Sequence, residues 1–212
     1  IADGDWSSDV CSSDLEGWVG VEHFTEGPRI HEYLREMDER VLSDYDAMAV
    51  GECIGVTPDE ADRYAEDGLE MAINFDHVTL DFDEEEGWWK VREFPLTELK
   101  EAFGRWQTEP ERAWPAVYLG NHDQPRIVSR FGDDGEYRAE SAKLLATLVL
   151  TLRGTSFVFQ GDEIGMTNYP WNSLEELRDA DATNRVREAV AAGDIEGFEE
   201  VKELIRYRCR DN

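Results

Sequence analysis

Lysine is nearly missing from this 212-residue chain. Four of its 21 basic residues are Lys (Lys90, Lys100, Lys143 and Lys202), against 49 Asp and Glu, and the net charge is −28. A surface so poor in cations argues against nucleic acid, whose phosphates call for a surplus of Lys and Arg. Cysteine is scarce as well. Cys11, Cys53 and Cys209 are odd in number and at no metal-like spacing, which argues against a disulfide framework or zinc site and fits a reducing, cytoplasmic setting. No apolar run approaches the ~18 residues that a membrane span needs. What is present is core-forming material: 41% hydrophobic residues and 11% aromatics, seven of them Trp. A disordered acidic tail lacks these. The length suits one domain or part of a larger one. An acidic, Lys-poor surface on an otherwise ordinary composition reads as adaptation to concentrated salt, where a Debye length of ~3 Å at 1 M removes most self-repulsion. An ordinary acidic protein is the alternative.

Residues 1–15 stand apart from the rest. Trp6-Ser-Ser-Asp-Val-Cys-Ser-Ser-Asp-Leu15 repeats Ser-Ser-Asp with neither helical nor strand period, and it has no basic and apolar regions of a signal peptide. Asp9-Val-Cys-Ser-Ser-Asp-Leu15 resembles the translation of a common short-read sequencing adapter, a disordered extension being the alternative. It is therefore set aside, and residues 16–212 are read as the folded part. At the other end Phe198, Val201, Leu204 and Ile205 form an amphipathic pattern shortly before Asn212. Both ends read as cuts.

Between them one unit recurs: an apolar strand, a carboxylate, a helix. Gly27-Pro28 opens a helix with Ile30, Tyr33, Leu34, Met37 and Val41 at helical spacing. Ala47–Gly51 is a short strand ending at Glu52, followed by Thr57-Pro-Asp-Glu60, a capping box. Met71–Phe75 is a second strand, ending at Asp76-His77. An acidic loop (Asp81–Glu86) and Trp88-Trp89 precede a helix over Leu96–Trp106. Ala116–Leu119 is a third strand, ending at Asn121-His122-Asp123. Tyr137–Leu152 is a helix with Leu144, Leu145, Leu148 and Val149 inward, and Ser156–Gln160 is a fourth strand ending at Gly161-Asp162-Glu163.

Apolar strands alternating with helices make an α/β fold with a parallel sheet. In a TIM (β/α)8 barrel the loops after the strands' C-terminal ends carry the chemistry, and here all four strands end in acidic groups. A whole barrel takes eight strands and about 250 residues, so this pattern predicts a consecutive half, truncated at both ends. A doubly wound sheet is the rival, though no Gly-rich phosphate loop follows any strand. Facing carboxylates suit glycoside hydrolysis, in which one donates a proton to the leaving oxygen and others stabilise an oxocarbenium-like sugar. They could equally hold a divalent cation or cap the helices that follow.

Ala49-Val-Gly-Glu52, Tyr118-Leu-Gly-Asn-His-Asp-Gln-Pro-Arg126 and Phe157-Val-Phe-Gln-Gly-Asp-Glu-Ile-Gly-Met-Thr-Asn168 resemble three ordered motifs of the α-amylase family, glycoside hydrolase family 13. They are similar in particular to its oligo-1,6-glucosidase/α-glucosidase branch. The flanks Gly27–Met37, Ser129–Arg138 and Arg208–Asn212 agree, and the resemblance covers nearly everything from Gly17 onward. It implies about strands five to eight of the barrel and a retaining α-glucosidase acting on small oligosaccharides, without cofactor or metal. It makes Glu52 the general acid/base and Asp123 the transition-state stabiliser that clamps the sugar's hydroxyls. His122 then binds the same sugar, and Arg126 is a substrate-binding residue or a structural ion pair. Asp162 and Glu163 shape the end of strand eight, Phe75, Asp76 and His77 form wall, and Cys53 carries no chemistry. Trehalose-6-phosphate hydrolase, sucrose isomerase and non-catalytic barrel homologues share the resemblance. The last of these tend to lose the acid and the His-Asp pair kept here.

The family's nucleophilic Asp, on a Gly-Phe-Arg-x-Asp type motif at strand four, has no counterpart in the chain. The resemblance therefore implies a fragment with half of its catalytic pair, inactive alone. From composition, the intact protein should melt at a higher temperature in molar KCl than in dilute buffer; a Tm that is flat or falling across a KCl series contradicts salt adaptation.

Overall fold

The computed structural model describes residues 27–83, 87–193 and 197–205. The adapter-like segment, the Arg208–Asn212 motif, Cys11 and Cys209 lie outside the described residues. Helix α1 (Ile30–Arg40) lays Ile30 and Leu34 on a core cluster, while Tyr33 and Met37 on the same stripe, and the C-cap Val41, are exposed. Strand β1 (Val50–Glu52) follows, then α2 (Pro58–Glu66), whose start is the expected capping box. Thr57 Oγ1 accepts from Glu60 N at 3.3 Å, the Glu60 carboxylate accepts from Thr57 N at 2.7 Å, and Pro58 opens the helix. Strand β2 (Met71–Ile73) pairs parallel with β1 in the register Glu52↔Ile73.

Within the expected acidic loop Asp81–Glu86, Phe82 and Asp83 form a strand, and residues 84–86 lie outside the described residues. β3 (Phe82–Asp83) pairs antiparallel with β4 (Gly87–Val91), where Trp88, Trp89 and Val91 favour extended backbone. Helix α3 (Leu96–Thr108), strand β5 (Ala116–Val117), helices α4 (Ile127–Phe131) and α5 (Arg138–Thr151), strand β6 (Thr155–Ser156), and helices α6 (Ala180–Ala192) and α7 (Phe198–Ile205) complete the order. The strands are shorter than the apolar runs that announce them, although Phe157 N still donates to Val117 O at 2.8 Å beyond the end of β6.

β5 pairs parallel with β6, and β2 lies beside β5. Trp114 N donates to Glu70 O at 2.9 Å where the two strands begin, and Tyr118 Oη donates to Asn74 O at 2.7 Å where they end, so they run in the same sense. The parallel order β1-β2-β5-β6 follows the chain without reversal. A doubly wound sheet reverses at its switch point; a barrel segment does not, and the architecture is that of a partial TIM (β/α)8 barrel.

Side-chain parity separates two faces. Ala49, Cys53 and Ala72 face α1 and α2 in a cluster with Val56, Ala61, Tyr64 and Leu69. Val117 and Leu119 face α4 and α5, among Ile127, Val128, Leu145 and Val149. Val50, Glu52 and Tyr118 take the opposite face. In α5 Leu145 and Val149 are buried and Leu148 packs beside them, but Leu144 is 70% exposed, contrary to expectation. It lies about 100° round the helix from Leu145, outside the stripe. In α7 Val201 is buried as expected; the side chains of Phe198, Leu204 and Ile205 lie outside those described.

Asp62, on α2, holds the approach to β5. Its carboxylate accepts from the backbone N–H groups of Glu111, Arg112 and Ala113, each at 2.8 Å. Burial works against its charge, but these three donors and the Arg112 guanidinium outweigh it and hold Asp62 below the usual carboxylate range. A group with a depressed folded pKa contributes stability above its unfolded pKa and loses it as pH falls through the folded one. Asp62→Ala should therefore cost about 1–2 kcal/mol in denaturant unfolding at pH 7. The deficit relative to the unsubstituted protein should shrink as the pH drops below ~4.

Candidate active site

Glu52 owes its position to the glycine before it. A Cβ on Gly51 would stand 2.8 Å from Leu69 Cδ2, so glycine lets β1 close against the α2–β2 connection. Glu52 then points to the other face and is open to solvent. On that face of β5 stands Tyr118, 2% exposed, between the edge of Phe75 and the ring of His77. Burial pushes its phenol well above its ordinary pKa, the Glu52 charge pushes it further, Arg130 pulls it back and Asp76 raises it again. Tyr118 is therefore a neutral wall within electrostatic reach of Glu52.

After β5 the chain makes a tight turn. Asn121 Oδ1 accepts from Asp123 N at 2.9 Å and Asn121 O from Gln124 N at 3.2 Å. This presents His122 and Asp123 outward, with His122 Nε2 3.4 Å from Asp123 Oδ2. The His122 side chain is 73% exposed and that of Asp123 35%. The residues that follow turn inward, and Gln124, Pro125 and Arg126 are buried.

Arg126 joins this turn to the loop after β6. Its backbone N donates to Asn168 Oδ1 at 2.9 Å, its Nη1 donates to Gln160 O at 2.5 Å, and its guanidinium lies 4.9 Å over the Phe159 ring. Asn168 N in turn donates to Ser129 Oγ at 2.9 Å. Gly161 permits the approach: its φ is +100°, and a Cβ there would sit 2.9 Å from Arg126 Nη1 and 2.4 Å from Met166 Sδ. Arg126 thus packs beneath the turn that carries Asp123.

The other strand-end carboxylates are engaged in holding the frame. Asp76 accepts from Trp106 Nε1 at 2.8 Å and Arg105 Nη1 at 3.3 Å, both on α3. His77 is buried between Phe103 and Tyr118. Burial lowers its pKa to about 4; its hydrogen bond with the Tyr118 backbone opposes this and the Arg130 charge adds to it, so the ring is neutral at pH 7. Glu163 accepts from Gly161 N at 2.7 Å. Burial raises the Asp162 pKa, against the backbone hydrogen bond from Phe159 and the Arg126 charge, with Glu163 adding to the rise. Of the four expected clusters, Glu52 and His122 are exposed to solvent, with Asp123 partly exposed beside His122. They could donate a proton and stabilise positive charge on a sugar. Among the described residues no group of three or more His, Cys, Asp or Glu could hold a metal ion, and no helix is long and apolar enough to cross a membrane.

The sequence reading missed the group that fastens the site. Arg130 and Asp81 form a buried pair with side-chain exposures of 1% and 5%. Nη2 donates to Asp81 Oδ1 at 2.7 Å and to Val78 O at 2.5 Å, Nε donates to Asp81 Oδ2 at 3.0 Å, and Nη1 donates to Gln124 Oε1. Its signal was present: an Arg among apolar Ile127, Val128 and Phe131, in a chain with few basic residues.

Comparison with known proteins identifies the family. The family described as alpha amylase, catalytic domain, matches residues 5–204. An oligo-1,6-glucosidase of Parageobacillus thermoglucosidasius is 47% identical over 197 residues, which is 91% of this chain and 35% of that protein. Among solved structures, a trehalose-6-phosphate hydrolase of Bacillus licheniformis superposes with a TM-score of 0.84 at 42% identity, covering 94% of this chain and 36% of that one. A mutant isomaltulose synthase of Erwinia rhapontici NX5 in complex with sucrose gives 0.78 at 38% identity, over 91% and 35%. The chain spans about a third of the length of the relatives it matches.

Proposed function

The chain belongs to the α-amylase catalytic-domain family, and on that premise we propose that it is the part of an α-glucosidase, of oligo-1,6-glucosidase type, that supplies about strands five to eight of the barrel. The reading rests on one observation. Glu52 and the His122–Asp123 pair stand open at the same end of parallel strands that follow the chain in order. In this proposal Glu52 protonates the departing glycosidic oxygen and then, as a carboxylate, takes a proton from the attacking water. Asp123 holds sugar hydroxyls and stabilises the oxocarbenium-like transition state, and His122 donates to the same sugar. Arg126 belongs to the binding site through the turn it supports.

Retention requires a second carboxylate ~5–5.5 Å from the acid, and the rest of the barrel supplies it. The substrate is a small oligosaccharide with a terminal α-glucosyl group. A phosphorylated sugar calls for accessible cations; the two arginines nearest this turn, Arg126 and Arg130, are buried against Gln160 and Asp81. That favours an uncharged glucoside over trehalose 6-phosphate. We place the enzyme in a salt-rich cytoplasm.

The 212-residue chain alone should not turn over maltose, isomaltose or an aryl α-glucoside, and turnover by it, free of host glucosidase, contradicts the assignment of a missing nucleophile. In the full-length enzyme, Glu52→Ala should lose far more activity on a disaccharide than on a nitrophenyl glucoside, whose leaving group departs with little protonation. Azide needs no general base, so it should accelerate the variant on the activated substrate and yield α-glucosyl azide. Asp123→Ala should instead damage both substrates, because stabilising the ring does not depend on the leaving group. Equal losses for Glu52→Ala on both substrates, with no response to azide, would make Glu52 a binding or structural residue.

A further inference from the structure

The turn that presents Asp123 is held from one side by its own backbone and from the other by a buried charge. Within the turn, Asn121 accepts from Asp123 N and Gln124 N. Beyond it, the Gln124 side chain runs inward, 5% exposed, and its Oε1 takes a hydrogen bond from Arg130 Nη1. Arg130 cannot shift to follow a moving partner. Asp81 grips Nε and Nη2 in a two-point fork, Val78 O takes the other Nη2 hydrogen, and the Phe131 ring packs 4.8 Å from the guanidinium carbon. The anchor at Val78 and Asp81 is fixed in turn, because this segment directly follows Asp76 and His77, which α3 holds through Trp106 and Phe103.

We propose that Gln124 and Arg130 are positioning residues for the transition-state-stabilising carboxylate: Arg130, clamped by Asp81, fixes the tip of Gln124 and thereby sets where Asp123 stands against the sugar. A peptide unit is rigid, so a residue pinned at its backbone nitrogen and at its side-chain tip leaves its predecessor little torsional freedom. The role is geometric. Neither residue reaches the mouth, and Arg130 gives its hydrogen bonds to Asp81, Val78 and Gln124. Both carboxylates keep their own chemistry, but Asp123 is the one whose usefulness depends on sub-ångström placement against a charge that exists only in the transition state.

The proposal rests on the reading of Asp123 given above, and the test separates the two. In the full-length enzyme, Gln124→Met keeps the length and removes the acceptor. Arg130→Lys keeps a charge for Asp81 but replaces the fork with a single point. With active sites counted by a mechanism-based inactivator, either variant should lower kcat per site about ten- to a hundredfold with little change in KM. The loss should be equal on a disaccharide and an aryl glucoside, and azide should not restore it. In an Asp123→Asn background the same substitutions should cost little more, whereas in a Glu52→Gln background their full effect should persist. Unchanged kcat per remaining site, with only the count of active sites reduced, would make the pair purely structural and overturn the proposal, as would full additivity with Asp123→Asn. If Asp123→Asn itself were as active as the unsubstituted enzyme, the functional reading fails first. Should Gln124→Met not fold, Arg130→Lys decides by the same measurements, and the reverse.

Discussion

Arg130 and Asp81 form an ion pair that water scarcely reaches, their side chains 1% and 5% exposed. Taking two ions out of water is costly, and the cost is recovered only when the remaining donors and acceptors are satisfied as well. The guanidinium bonds the Asp81 carboxylate and the Val78 main-chain oxygen, both in the segment after β2, and the Gln124 amide oxygen in the turn after β5. The pair binds the segment after β2 to the turn after β5. Removing either partner strands a buried charge, which typically costs about 3–5 kcal/mol. The position of the functional turn and the closure of the strands thus depend on the same contact.

Around it, the frame is built from close approaches that only small residues permit. Gly51 lets β1 meet Leu69 and so turns Glu52 to the open face. Gly161, with φ of +100°, brings the loop after β6 onto Arg126. The carboxylates that looked interchangeable along the chain divide by what surrounds them. Asp76 is consumed by Trp106 and Arg105, Glu163 by Gly161 N, and Asp62 by three backbone donors. Glu52 and His122 are exposed, and Asp123 is partly exposed beside His122.

That division has a chemical consequence for the proposed glycosidase. In that proposal two groups, one ending β1 and one in the turn after β5, do different things, one carrying a proton and the other staying ionised beside a developing cation. Tyr118 and His77, both neutral at pH 7, pack against each other on that wall, and Asp76 is paired with Arg105. The arginines that could bring positive charge to the mouth, Arg126 and Arg130, spend it instead on backbone oxygens and Asp81.

Much was legible in the sequence because it is local. The capping box at Thr57–Glu60 is read from four residues and recurs in space as written. The alternation of apolar runs with helical stripes is enough to give parallel strands, and the Asn-His-Asp motif at a strand end is read from its own letters. Local pattern could not say which carboxylate faces where. Parity along β1 is fixed by Gly51 against Leu69, a neighbour 18 positions away in sequence, and Asp76 is captured by a helix 30 positions on. The acidic run Asp81–Glu86 reads as loop because Asp and Glu are poor strand formers, yet Phe82–Asp83 pairs with β4, and Leu144 reads as core with Leu145, Leu148 and Val149 although it lies outside their buried stripe. Arg130 and Asp81 are 49 residues apart. In sequence each is one more charge in an acidic chain; only burial beside Gln124 turns them into the clamp on Asp123, because the strength of an ion pair is decided by the water that folding removes.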